Sequence, residues 1–244
     1  MQWMRPALRA YHRCEVRGLD RVPAGPALVV SNHSGGLFAL DTVIFAAEFY
    51  ARFGYERPVL TLSHDMLLSG PQGSVLRRAG FIPANRASAK AGLAAGGVVV
   101  VFPGGDYDAY RPTAARNTID FAGRMGYVRT AIEAGVPIVP MVSIGGQETQ
   151  IYVSRGAGLA RLLRVDRAMR VKIVPISLGF PFGLSVLPVN VPLPSKITTL
   201  VLDPIDLSSF GPVPDPADVD CHVRTVMQEA LDGLAARRRF PVLG

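Results

Sequence analysis

His33 and Asp41 are the two side chains in this sequence best suited to move a proton. The apolar run Ala27–Ser31 ends in Asn32-His33, and the small residues Ser34, Gly35 and Gly36 follow. Asp41 stands eight positions beyond the histidine, where a helix is expected to have begun. An imidazole titrates near neutral pH, and a carboxylate beside it fixes its tautomer and stabilises its charged form. Such a pair can deprotonate a substrate hydroxyl, a step that typically supplies roughly 10²–10⁴-fold. Asn32, Gly35 and Gly36 are expected to border the substrate, since bulkier neighbours would fill the space it needs.

A second centre follows another apolar run. Val98–Phe102 leads into Pro103-Gly104-Gly105-Asp106-Tyr107-Asp108, with Arg111 beyond. Gly104 and Gly105 permit close approach to main-chain N–H groups, which can hold a developing oxyanion. One such donor is worth about 3–4 kcal/mol where it has been measured. Asp108 and Arg111 are expected to contact substrate, Arg111 through a phosphate or carboxylate. No Gly-Lys-Ser/Thr follows the turn, so it is not a P-loop. The Asp106-x-Asp108 pair is explained by turn chemistry, and no metal site is expected. Arg86, after the apolar run Gly80–Pro83, is a third potential anion contact. Of the remaining histidines, His12 and His222 fall on expected helix surfaces, and His64 adjoins Asp65 without an obvious partner.

The elements that must position these groups alternate. Strands are expected at Ala27–Ser31, Pro58–Leu62, Val98–Phe102, Pro137–Val142, Val171–Ser177 and Ile197–Leu202. Helices are expected at 6–17, Leu37–Tyr50, Pro71–Ala79, Ala87–Ala95, Thr118–Glu133 and 216–236. This order predicts one α/β domain spanning 1–244, with a largely parallel or mixed sheet flanked by helices. Catalytic groups of such sheets lie at the carboxyl ends of the strands.

The 244 residues are 49% hydrophobic and carry a formal net charge of +7. That balance suits anionic lipid, nucleic acid or phosphate-bearing substrates. A single Trp and scattered arginines argue against nucleic acid. Cys14 and Cys221 stand far apart, which implies neither zinc nor a disulfide framework. No signal-peptide core is evident at the N-terminus. The longest uncharged stretch, the 23 residues Ile173–Ser195, contains five prolines and is no spanning helix. Arg5, Arg9, Arg13 and Arg17 recur at i+4 spacing in the first segment. That pattern fits an interfacial helix or a helix packed on the domain. Residues 155–170 read as a second basic amphipathic helix, and apolar 178–194 either covers the core or dips into lipid headgroups.

From Val16 to Leu202 the sequence resembles the glycerolipid acyltransferase superfamily, the bacterial lysophosphatidic-acid-acyltransferase-like enzymes. Val16-Arg17-Gly18-Leu19-Asp20-Arg21-Val22-Pro23 is similar to that family's lead-in, and Asn32-His33 to its signature histidine. Gly80–Arg86, Phe102–Gly105 and Val136–Pro140 are similar to its later blocks. Two departures stand out. The family places four residues between His and Asp, which here would select Phe38; seven intervene before Asp41, and a turn at Gly35-Gly36 can absorb three. The family's Pro-Glu-Gly-Thr-Arg has Gly104 for its glutamate and Tyr107 for its arginine, a residue associated with the acceptor phosphate. Arg86 or Arg111 is a possible substitute, and Gly-Gly forms occur nearer the neutral-lipid branches.

The resemblance implies acyl transfer from acyl-CoA or acyl carrier protein to a lipid hydroxyl, of the lysophospholipid or glyceride class. His33 and Asp41 would be catalytic, and no cofactor would be needed beyond the acyl donor. It also implies peripheral attachment to an anionic membrane surface at the cytoplasmic face of a bacterial cell membrane. A hydrolase using the same site, and a lipid-binding homologue without catalysis, are the alternatives. The sequence lacks the Gly-x-Ser-x-Gly of a serine esterase.

Overall fold

The computed structural model describes residues 4–33, 40–162, 173–186, 190–240 and 242–243. Five strands form the parallel heart of the molecule: β2 (Ala27–Ser31), β3 (Val59–Ser63), β4 (Phe81–Pro83), β5 (Val98–Val101) and β6 (Ile138–Ile144). With β1 (Glu15–Arg17) and β10 (Thr198–Val201) they make a seven-stranded sheet in the order β1-β10-β6-β2-β5-β3-β4. β10 runs antiparallel to β6 and parallel to β1, so the sheet is mixed at that edge only.

The central strands are continuous apolar runs because both faces are covered. Every residue of β2 and of β6 is buried. Alternation along each strand divides the core. Leu28, Val30, Val99, Ile138 and Val142 face α5 (Arg86–Ala94), α7 (Gly126–Ala134) and the long helix α9 (Pro216–Ala236). Ala27, Val29, Val98, Val100 and Met141 face Phe45, Phe49 and Tyr50 of α2 (Leu40–Phe53). α9 starts at Asp215, whose side chain accepts the Ala217 N–H, with Pro216 in its first turn. Its stripe Val219, Val223, Met227, Leu231 and Leu234 is buried on the sheet.

Several expected elements change length. The N-terminal helix α1 (Arg5–His12) stops where Arg13 turns left-handed, and Glu15–Arg17 pairs with β10 as a strand. The row of four arginines is thereby broken. Arg5 and Arg9 both grip Glu48 of α2 at 2.8–2.9 Å, and Leu8 is buried, so α1 packs on the domain. α2 is described only from Leu40. The helix expected from Thr118 starts at Gly126, because Ala122 and Gly123 are both left-handed (φ 52° and 70°). Phe121 is pulled into the core there, and Gln228 of α9 accepts the Ile119 N–H at 2.8 Å. Residues 65–78 form two short helices, α3 (Asp65–Ser69) and α4 (Gly73–Arg78).

Between β6 and β10 lies a separate three-stranded antiparallel sheet, β7 (Ile151–Ser154), β8 (Ile176–Gly179) and β9 (Gly183–Ser185), with α8 (Ala157–Leu162) after β7. Only α8 represents the basic helix expected at 155–170; 163–172 lie outside the described residues, as does the start of the strand expected at Val171. No helix among the described residues is long and apolar enough to cross a membrane.

Candidate active site

Three neighbouring parallel strands, β5, β2 and β6, deliver their carboxyl ends to one place. β2 leads to His33, β5 to the Pro103–Gly105 turn, and β6 to Gly145–Gln147.

At the end of β2, Asn32 acts as one further rung of the ladder. Its Nδ2 donates to the Ser143 carbonyl and its Oδ1 accepts the Ser143 N–H, both at 2.8 Å. The side chain continues the pairing with β6 while the main chain turns away, which lifts His33 off the sheet edge. Both amide atoms of this expected substrate contact are therefore committed to the framework.

His33 Nδ1 lies 3.2 Å from Asp41 Oδ2 in the first turn of α2. Asp41 is fully buried and the imidazole only 16% exposed. A carboxylate at Nδ1 selects the tautomer with the proton there and the lone pair on Nε2. Among the described residues none bonds Nε2. The Phe102 ring lies 4.6 Å from the imidazole, centroid to centroid, and limits its tilt. Seven intervening residues thus still bring Asp41 to the histidine. Gly35, Gly36 and Phe38 lie outside the described residues.

The main chain of His33 is held from both sides. Its N–H donates to Asp108 Oδ2 at 2.6 Å. Its carbonyl accepts from Gln147 Nε2 at 3.1 Å, and the same amide nitrogen reaches the Asp108 carbonyl at 3.1 Å. Asp108 sits in α6 (Gly105–Ala109), 1% exposed. Burial pushes its carboxyl pKa up, while the Arg111 guanidinium and the His33 N–H oppose the rise. Gly104 makes this possible: a Cβ there would come within 2.4 Å of the Asp108 Cβ.

The structure gives the expected anion contacts other partners. Arg111 is 2% exposed, and its Nε and Nη2 both donate to Asp108 Oδ1. Arg124 spans the Gly104 carbonyl and Asp106. Arg155 lies over the Tyr107 ring, 3.8 Å from its centroid. Arg86 pairs with Glu133 of α7 at 3.0 Å, alongside Lys90. The Asp106-x-Asp108 pair is likewise engaged by arginines. Of the two turn amides, Gly105 N–H already donates to the Phe102 carbonyl at 3.0 Å. Gly104 N–H has no partner among the described residues, which leaves it as the donor available for an oxyanion.

The other histidines take structural positions. His64 caps α3, accepting the Met66 N–H at 3.2 Å. His12, expected on a surface, is 3% exposed with Nδ1 3.3 Å from the Ser195 carbonyl, and burial lowers its pKa. His222 is exposed, edge-on to Phe210.

The acyltransferase family model matches residues 13–144, more than half of the chain, a span that includes His33, Asp41 and Asp108. The chain belongs to the acyltransferase family. An uncharacterized protein of Mycobacterium tuberculosis is 31% identical to this acyltransferase-family chain over 247 residues, covering 97% of the chain and 66% of that protein. The bovine and human proteins described as "DGAT1/2-independent enzyme synthesizing storage lipids" are 29% and 28% identical. They cover 77% and 71% of the chain, which spans 55% and 52% of their lengths. The 1-acyl-sn-glycerophosphate (LPA) acyltransferase PlsC from Thermotoga maritima superposes with a TM-score of 0.58 at 15% identity, over 96% of this chain and 82% of that one. That likeness shows the shared mixed α/β fold.

In this family member, Gln147 is the site residue that the sequence reasoning missed. The signal that singled out His33 was present: β6, a buried strand, is followed by Gly145-Gly146, and Gln147 comes directly after them. Its Oε1, on the same amide that holds His33, is buried and has no hydrogen-bond partner among the described residues.

Proposed function

We propose that this chain moves a fatty acyl group from a thioester donor, acyl-CoA or acyl carrier protein, to the hydroxyl of a glyceride-type lipid. The observation that carries the reading is the His33–Asp41 contact at the end of the central parallel strand, with Nε2 unengaged among the described residues. In the proposed reaction Nε2 takes the proton of the acceptor hydroxyl as its oxygen attacks the thioester carbonyl. The buried Asp41 stabilises the imidazolium that results. The tetrahedral oxyanion accepts a hydrogen bond from Gly104 N–H. When the C–S bond breaks, the imidazolium returns the proton to the departing thiolate, so that the products are an ester and a free thiol. The Asp108–Gln147 clamp on the His33 main chain holds the ring in register through both transfers.

The glyceride preference is supported by the arginines. Arg86, Arg111, Arg124 and Arg155, the cations on and around the second and third motifs, are all engaged by protein groups. An acceptor phosphate would have to displace one of them. The description of the bovine and human relatives as enzymes synthesizing storage lipids agrees with a neutral acceptor.

Purified protein given radiolabelled acyl-CoA and, separately, monoacylglycerol, diacylglycerol, lysophosphatidate or no acceptor tests this reading. Label is expected in the glyceride products. Label in phosphatidate alone would overturn the acceptor class. Free fatty acid released equally with and without acceptor would replace transfer by hydrolysis.

A further inference from the structure

The three-stranded sheet has its faces reversed relative to an ordinary solvent-facing sheet. In antiparallel sheets with one wet face, the polar residues point to water. Here Tyr152 and Ser177, paired across β7 and β8, point inward, and Ser177 Oγ is 3.0 Å from Ser185 Oγ on β9. The outward row is Ile151, Leu178 and Leu184, paired in register across all three strands. Leu184 is 69% exposed, and Phe180 and Phe182 in the β8–β9 turn are 72% and 62% exposed. An apolar face of this kind marks an interaction surface.

We infer that this face docks onto the headgroup–acyl boundary of an anionic lipid bilayer. Charge selects that occupant. From Thr149 to Leu202 the sequence has seven basic residues and one acid, Asp166. A second copy docked through the same face would bring two segments of like charge together, which is unfavourable. An anionic bilayer suits both the apolar row and a segment of that charge. The sheet is also fixed to the active site. Tyr152 N–H donates to Thr113 Oγ1 at 2.9 Å, and its ring stands edge-on to Tyr110. Arg155 Nε donates to the Tyr107 carbonyl in α6 at 3.0 Å. α6 carries the Asp108 that holds His33, so a docked sheet brings the imidazole's neighbourhood to the layer where acyl chains reside. The inference builds on the proposed lipid acceptor and adds the surface that reaches it.

Co-sedimentation with phosphatidylcholine vesicles, with and without phosphatidylglycerol, tests the surface. The protein is expected to sediment with the phosphatidylglycerol-containing vesicles and to be released by salt. The triple variant Phe180→Ser/Phe182→Ser/Leu184→Ser is expected to lose more than about tenfold in vesicle affinity, since each buried apolar side chain is worth at least that factor. Its acyl transfer to acceptor dispersed in detergent should be unchanged. If the triple variant misfolds by circular dichroism, Val153→Ser, at one exposed position of β7, supplies the same comparison with a smaller loss. Failure of the folded protein to bind, equal binding to both vesicle types, wild-type binding by the variants, or a concentration-dependent dimer that they dissolve would each overturn the inference. Vesicle binding without transfer in detergent would leave the docking surface standing and remove the catalytic reading.

Discussion

The two sheets of this molecule use the same kinds of residue for opposite ends. In the large sheet Val, Ile and Leu fill both faces and meet helices on either side. In the small sheet they form a row turned outward, while hydroxyls and a tyrosine turn inward. Hydrophobicity in the first is a source of stability, because it is withdrawn from water on folding. In the second it stays exposed after folding and contributes nothing to the fold until something covers it. An apolar segment therefore does not announce its role; the face it presents does.

Substitutions can break that contrast. The largest effect is expected at the carboxyl end of the large sheet. His33→Ala should lower the rate of acyl transfer by roughly 10²–10⁴-fold or more with an unaltered thermal unfolding curve. Asp41→Asn should approach the same loss, since an amide at Nδ1 no longer enforces the tautomer with Nε2 free. Steady-state assays beside calorimetry check both; a folded His33→Ala protein with normal turnover would remove the mechanism.

Stability separates the sheets next. Phe45, fully buried between α2 and the large sheet, should cost about 3–5 kcal/mol when replaced by alanine. Leu184→Ala in the small sheet should change stability by no more than about 0.5 kcal/mol. Urea unfolding of the two variants decides the matter, and equal losses would mean that the small sheet's outer face is part of the core. Asp108→Asn should be destabilising by about 3–5 kcal/mol, because it strips a buried guanidinium of its counter-charge. That loss should be accompanied by a fall in turnover, because a single carboxamide oxygen cannot accept from both Arg111 and the His33 N–H.

The smallest effect concerns pH. Burial works against ionisation of Glu48, but hydrogen bonds from Arg5 and Arg9 outweigh it and hold the carboxyl below the usual glutamate range. A lowered folded-state pKa means stability that is fully present above the ordinary value and lost as pH falls through the folded one. Glu48→Gln should therefore cost about 1 kcal/mol near neutrality, given the partial exposure of both arginines, and nothing in strong acid. Unfolding measured across acidic pH checks this. The small sheet, whose strands contain no acid, should supply no matching step.

Much of this was written locally in the chain. Continuous runs of β-branched residues marked β2, β5 and β6 because strands buried on both faces need no alternation. Asp215-Pro216 and the stripe from Val219 to Leu234 marked α9 through its cap and its period. His33 was legible as the candidate for proton transfer because small residues after a strand end leave space beside an imidazole. The pairing of distant charges was not legible. Arg111 suits a substrate phosphate by type, yet the fold buries it on Asp108; Arg5 and Arg9 suit a bilayer, yet they face Glu48. Asn32 and Gln147, 115 positions apart, cooperate only because β2 and β6 are neighbours in the sheet. Local sequence dictates period, caps and turns, since these depend on residues within a few positions of each other. Which cation meets which anion, and which face of a strand meets water, depends on how crossovers set elements side by side, and only the assembled fold decides it.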